Sequence, residues 1–210
     1  MADLALAGEP ELVRPFILEP VDASSLASPF MQGSVTKFDP RVAMSARVLG
    51  TMLDSVEKQF PAMKGPLTQA RAGRYGSAAV EALTSGDQEV AAFLKGLDWY
   101  SKGQLNQAVT QLEVAAGPRR EFFAAAFYLG AAFAAAGRDR DAAGVWQIAL
   151  GTETRPLFVY TLLADARLRD GQPGSVIDIL KPAYQRTPAD DDIGHRLMAA
   201  YLMTGRFEEA

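Results

Sequence analysis

The 210-residue sequence contains no cysteine, one histidine and two tryptophans. Without cysteine there is no disulfide framework, no thiolate nucleophile and no cysteine-based zinc or iron–sulfur site. His195, with Asp191 and Asp192 one turn before it, lacks the further ligands a metal needs and the nearby nucleophile or acid that general-base catalysis needs. No window approaches the ~18 uninterrupted apolar residues of a membrane-crossing helix. The start, Met1 to Pro10, has neither the basic region nor the apolar core of a signal peptide. The expectation is a soluble chain without membrane insertion, in an unassigned compartment. Positive charge is also short: 21 Lys and Arg stand against 25 Asp and Glu, for a net charge of −4. A pI near 5.1 argues against a nucleic-acid surface.

Phosphate loops are missing as well. Gly171-Gln-Pro-Gly174 reads as a turn, with no Lys-Ser or Lys-Thr after it. Arg119, Arg120, Arg138 and Arg140 read as solvated turn charges, and Asp190 to Asp192 as a helix start rather than a calcium loop. These absences leave no cofactor, no metal and no catalytic constellation, so the chain is expected not to be an enzyme.

What is present is a folded composition, 49% apolar and 22% charged, well outside the disordered class. The apolar stretch from Glu121 to Gly137, bounded by arginines, reads as a buried helix. Seven of the twelve prolines fall in the first 66 residues. There Val13 to Val21 reads as extended, and residues 39 to 60 read as a helix with Asp39 as N-cap, Pro40 at its first position and a stripe of Val42, Ala46, Leu49, Leu53 and Val56.

Gly103, Gly137, Gly171 and Gly205 are each 34 residues apart. In the same register Gly96, Gly130, Ala164 and Met198 precede them and Ala108, Ala142, Val176 and Ala210 follow. Leu129, Leu163 and Leu197 recur, as do Leu112, Trp146 and Leu180, at the spacings of apolar helix faces. Each unit therefore reads as a helix, a glycine turn and a second antiparallel helix. Gly73 with Tyr75 to Val80 looks like a further, degenerate unit, four residues short.

This pattern resembles the tetratricopeptide repeat. Leu129-Gly130, Phe133, Gly137, Ala142, Trp146 and Ala149 carry the resemblance best, and it covers roughly residues 89 to 210. Lys95 and Arg167 depart from the pattern, and Pro182 should kink or split the second helix of the third unit. The fourth unit's second helix has only begun at Phe207, which suggests a piece cut from a longer chain. The implied fold is all-α, a helix-turn-helix repeat solenoid forming a right-handed superhelix behind an extended N-terminal arm. Residues 1–38 would be the arm, 39–87 two less regular helices, and 88–210 the repeats. The setting resembles the C-terminal repeat region of large bacterial multidomain proteins.

The resemblance also implies a function. First helices of such units line a concave groove, here through Val90, Phe93, Leu97 and Tyr100, then Ala124, Phe127, Ala131 and Ala134. Phe158, Thr161, Asp165 and Leu168 follow in the third unit, and Asp192, His195, Ala199 and Leu202 in the fourth. The groove is mainly apolar and suits an amphipathic helix or extended peptide. The expected role is a protein-interaction scaffold. Two other readings stay open: the groove is covered by the chain's own arm, through Phe16, Ile17, Leu18, Phe30 or Phe38, or by a second copy as a homo-oligomer; or it senses a small ligand.

Overall fold

The computed structural model describes residues 37–117, 122–151 and 156–210. Val13 to Val21, Phe16, Ile17, Leu18, Phe30, Arg119 and Arg120, on which parts of the sequence reading rest, lie outside the described residues. All regular structure among the described residues is helical. Two single 3-10 turns, Pro40–Val42 and Pro61–Met63, flank the helix α1 (Ala46–Gln59). After it come α2 (Lys64–Arg71), α3 (Tyr75–Thr84), α4 (Gln88–Ser101), α5 (Leu105–Ala116) and α6 (Phe123–Ala135). The series ends with α7 (Asp139–Leu150), α8 (Leu157–Arg169), α9 (Pro173–Arg186) and α10 (Asp191–Met203). Neighbouring helices pack pairwise along the chain, α2 on α3, α4 on α5, α6 on α7 and α8 on α9, so the architecture is a row of helical hairpins.

One local device closes every hairpin. Gly73, Gly103, Gly137, Gly171 and Gly205 all take left-handed backbone angles, with φ of 76°, 71°, 77°, 72° and 73°. The amide after each glycine donates to the carbonyl five residues back, as Gln104 does to Trp99 at 2.9 Å and Arg138 to Phe133 at 2.9 Å. That is a Schellman closure, which satisfies carbonyls that a helix end would otherwise strand. The same geometry at Gly73 makes the pair α2 and α3 a genuine hairpin. Asp87 and Asp190 start α4 and α10, their side chains accepting from the Val90 and Ile193 amides at 2.8 and 3.0 Å.

Small residues set how closely two helices of a hairpin approach. A Cβ on Gly130 would collide with the Trp146 indole at Nε1, and one on Gly96 would lie 2.6 Å from Leu112 Cγ. The bare backbone leaves room for the Trp146 ring, whose N–H donates to the Phe127 carbonyl at 3.0 Å. Around this contact every residue of α6 is buried. A helix apolar on all sides must be enclosed on all sides, and what encloses it decides where a site can lie.

Three expectations need correction. Residues 39–60 do not form one helix: Asp39 caps the 3-10 turn, accepting from the Arg41 amide, and α1 begins only at Ala46. Its buried face is Val48, Met52, Leu53 and Val56, while Val42 and Ala46 are exposed. Pro61 then ends α1, and the hairpin around Gly73 follows, so the stretch 39–87 holds three α-helices rather than two. Pro182 does not split α9, which runs unbroken from Pro173 to Arg186; its exposed ring points away from the core.

Candidate functional site on the concave face

The groove positions fall into two sets. Val90, Phe93, Leu97 and Tyr100 on α4 are buried, as are Ala124, Phe127, Ala131 and Ala134 on α6. The chain's own residues 38 to 60 cover them. The Tyr100 hydroxyl donates to the Pro40 carbonyl at 3.0 Å, and the Tyr128 hydroxyl to the Ala43 carbonyl at 2.9 Å. Phe38 meets the Trp146 ring edge-on at 6.2 Å, and Phe60 packs at a tilt against Phe122, 5.0 Å between ring centres, with Phe122 itself 5.1 Å from Phe93. Val48, Met52, Leu53 and Val56 of α1 join the same core. Burial, together with the Asp39 charge, pushes the Tyr100 phenol well above its ordinary pKa, and burial first of all does the same to Tyr128. Both rings stay protonated and act as donors. Over the first two repeat hairpins the concave face is therefore filled, and an open apolar groove there is a reading the geometry corrects.

Further along, the described residues no longer fill it. Phe158, Thr161 and Asp165 are half-buried and line a hollow of about 430 Å3. Its other wall is the start of the described chain, Lys37 to Val48, with Val42 left 44% exposed. Arg47 lays its guanidinium 5.8 Å from the Phe158 ring centre. Arg196 closes the far side through two hydrogen bonds to Asp165, at 2.7 and 2.9 Å. Burial opposes the charge on Arg196, but the Asp165 hydrogen bonds and the negative charges of Asp165, Asp192 and Asp190 overcome it and raise its pKa. Arg169 pairs with Asp139 at 2.8 Å on the same face.

The other expected positions scatter. Leu168 is buried and Leu202 half-buried. His195 is exposed and lines a separate hollow with Tyr184, Met198 and Tyr201. Asp192 and Arg196, one turn apart, share the groove face, whereas His195 stands a fraction of a turn round the helix. The sequence reading missed Arg47 and Arg196. Arg196 could have been found: Asp165 and Arg196 are 31 residues apart, three short of one repeat, which places opposite charges side by side on adjacent first helices. Among the described residues no group of three or more His, Asp or Glu side chains is placed to hold a metal ion, and no helix is long and apolar enough to cross a membrane.

The fold is thus an all-α array of helical hairpins with a partly self-filled concave face. Residues 96–210 match the family model described as bacterial transcriptional activator domain. That match spans more than half of the chain, and the chain belongs to this family. The matched family is not the tetratricopeptide repeat itself. No curated protein matches the sequence.

Proposed function

We propose that the chain is a non-enzymatic, tetratricopeptide-like interaction module in bacterial transcriptional regulation, and that it holds a partner protein segment in the concave hollow beside α8 and α10. The observation that carries this is the change along the groove: apolar and filled by residues 38 to 60 over α4 and α6, then left open by the described residues and lined by Phe158, Thr161, Val42 and the charged groups of Arg47, Asp165 and Arg196. Family membership supports the regulatory setting. An apolar floor with charges at fixed places is what a short helix or extended peptide recognises. Partner, not nucleic acid, is the reading, because two of the hollow's arginines, Arg169 and Arg196, are paired with Asp139 and Asp165 and the chain carries a net charge of −4.

A photoreactive amino acid placed at Thr161, in cells, tests this against the same label at Val80 on an exposed helix face. The expected outcome is one discrete protein adduct at position 161 that disappears when Asp165→Lys is added. Adducts of equal yield at both positions, none at position 161, or adducts to DNA would overturn the reading.

A further inference from the structure

At one place the repeat positions exchange character. Seven and ten residues after the turn glycine, the three later hairpins carry Thr110 and Glu113, Gly144 and Gln147, Asp178 and Lys181. After Gly73 the same positions are Val80 and Leu83, left 67% and 59% exposed. Eight before the glycine, Leu129, Leu163 and Leu197 are buried, whereas α4 has exposed Lys95. Four before it, Phe133 and Tyr201 are buried and Trp99 is only half-buried. Apolar side chains at solvent positions, beside a charge at a core position, mark a surface shaped for something other than water.

These residues share one cleft of about 470 Å3 between α3, α4 and α5. Val80 and Leu83 line it from α3, Lys95 and Trp99 from α4, and Gln111 from α5. Asp98, the one carboxylate of the lining, is taken up by Lys102. Lys95 makes no ion pair among the described residues. The cleft therefore offers an apolar bed with one unanswered positive charge.

Residues 1–36 lie outside the described residues, and their sequence holds what this bed lacks. Five acids, Asp3, Glu9, Glu11, Glu19 and Asp22, stand there against a single base, Arg14. Phe16-Ile17-Leu18-Glu19 joins large apolar side chains to a carboxylate, with Pro15 and Pro20 on either side to limit the freedom lost on docking. From Glu19 to Lys37 the eighteen residues reach up to ~60 Å, against a radius of gyration of about 16 Å for a domain of this size. The tether is long enough for any face of the stack.

We propose that Phe16 to Glu19 dock in this cleft, Phe16 and Leu18 against Val80, Leu83 and Trp99 and the Glu19 carboxylate on the Lys95 ammonium. A tether raises the effective concentration into the millimolar range, so a contact that is weak between separate molecules closes within one chain. Because the occupant is the chain itself, no second protein meets Val80 there, and Val80 keeps its use as a reference for the concave hollow. The cleft shares no lining residue with that hollow, so the site stands or falls separately from the partner groove.

The chain has no cysteine of its own, so a nitroxide on Val21→Cys labels the full chain at one place and tests the docking through paramagnetic broadening of backbone amides. The amides of residues 80, 83, 95 and 99 should broaden, and those of residues 161, 165 and 196 in the concave hollow should not. Lys95→Glu and Glu19→Lys should each cut the broadening at least about threefold, as expected when a surface ion pair becomes a repulsion, and the two together should restore it. Leu83→Ser, at an exposed position, should weaken it as well. The amide spectrum itself shows that each variant is folded. A mixture of isotope-labelled chain with spin-labelled chain separates docking within one chain from docking of a second copy. Broadening at the hollow, broadening nowhere, broadening carried between chains, or a double exchange that fails to restore it would each overturn the proposal.

Discussion

Phe93 and Phe127 occupy the same repeat position as Thr161 and His195, and Leu97 and Ala131 the same position as Asp165. In the first two hairpins these positions are buried beneath residues 38 to 60; in the third unit they are half-buried and in the fourth His195 is exposed. One backbone plan thus yields two kinds of surface. The apolar half cannot stay bare in water, because a row of exposed aromatics is a binding face waiting for a cover. Here the cover is part of the same chain. The polar half needs no cover, since Asp165 and Arg196 satisfy each other at the surface. What a repeat protein binds is decided as much by what it has already bound internally as by which residues its groove positions hold.

Removing the cover should give the largest effect. Phe38, Val48, Met52, Leu53 and Val56 are each at most 6% exposed. At about 1.5–3 kcal/mol for each such side chain, the segment supplies on the order of 10 kcal/mol before chain entropy is subtracted, comparable with the ~5–15 kcal/mol net stability of a domain. A chain starting at residue 61 should therefore lose its cooperative melt or drop in Tm by more than ~10 °C relative to a chain starting at residue 37. It should also bind an apolar dye. Equal melting temperatures would show that the two halves of the face do not differ in kind.

The next effect lies at the hairpin contacts. Gly130→Ala pushes a methyl into the buried, hydrogen-bonded Trp146 ring, and overpacking of this sort costs about 1–3 kcal/mol. The third hairpin already carries alanine there, Ala164, and sets Leu180 where Trp146 stands, so the restriction belongs to the filled half. Gly144 gives the opposite sign: no atom lies within 4 Å of its added Cβ, and Gly144→Ala should stabilise by about 0.5–1 kcal/mol through helix propensity. Urea midpoints of the two variants check the contrast.

Alkali should loosen the filled half selectively. The folded pKa values of Tyr100 and Tyr128 lie above the ordinary tyrosine value, chiefly through burial. Above pH ~10 the unfolded chain releases these protons while the folded chain holds them, so stability is fully present below ~10 and falls as pH rises, by up to about 1.4 kcal/mol per pH unit for each ring. Tyr128→Phe should flatten that fall while costing about 1 kcal/mol at neutral pH, from the hydrogen bond to the Ala43 carbonyl. The check is a series of melts from pH 8 to 11; parallel curves for wild type and variant would place the alkaline loss elsewhere.

The repeat itself was legible because glycine has a unique backbone role: five turns at φ near 75° require it, and four of them leave a mark every 34 residues. Burial of α6 was legible too, since thirteen residues without a charge have no solvent face to offer. The cover was not. An apolar stripe on α1 tells that the helix packs, not against what; Leu49, Leu53 and Val56 of the stripe do pack on the core, while Val42 and Ala46 are exposed because the chain bends at Ser45 before helix begins. Asp39 was the right capping residue for the wrong element. Arg167 stood out as a departure from the pattern, but only the closed turn shows its hydrogen bond to Gln172.

The smallest effect should fall in the open half. Asp165 and Arg196 keep 15% and 23% of their side-chain surface, so water screens the pair and the two hydrogen bonds contribute modestly. Asp165→Asn keeps the shape, removes the charge and should cost about 1 kcal/mol or less. Asp165→Ala with Arg196→Ala should cost less than the sum of the single changes, because each single change strands the surviving partner. A double-mutant cycle in urea measures this. A coupling energy above ~3 kcal/mol would mean that the pair is a structural core in its own right, and that the half of the face described as open is held as firmly as the half that is filled.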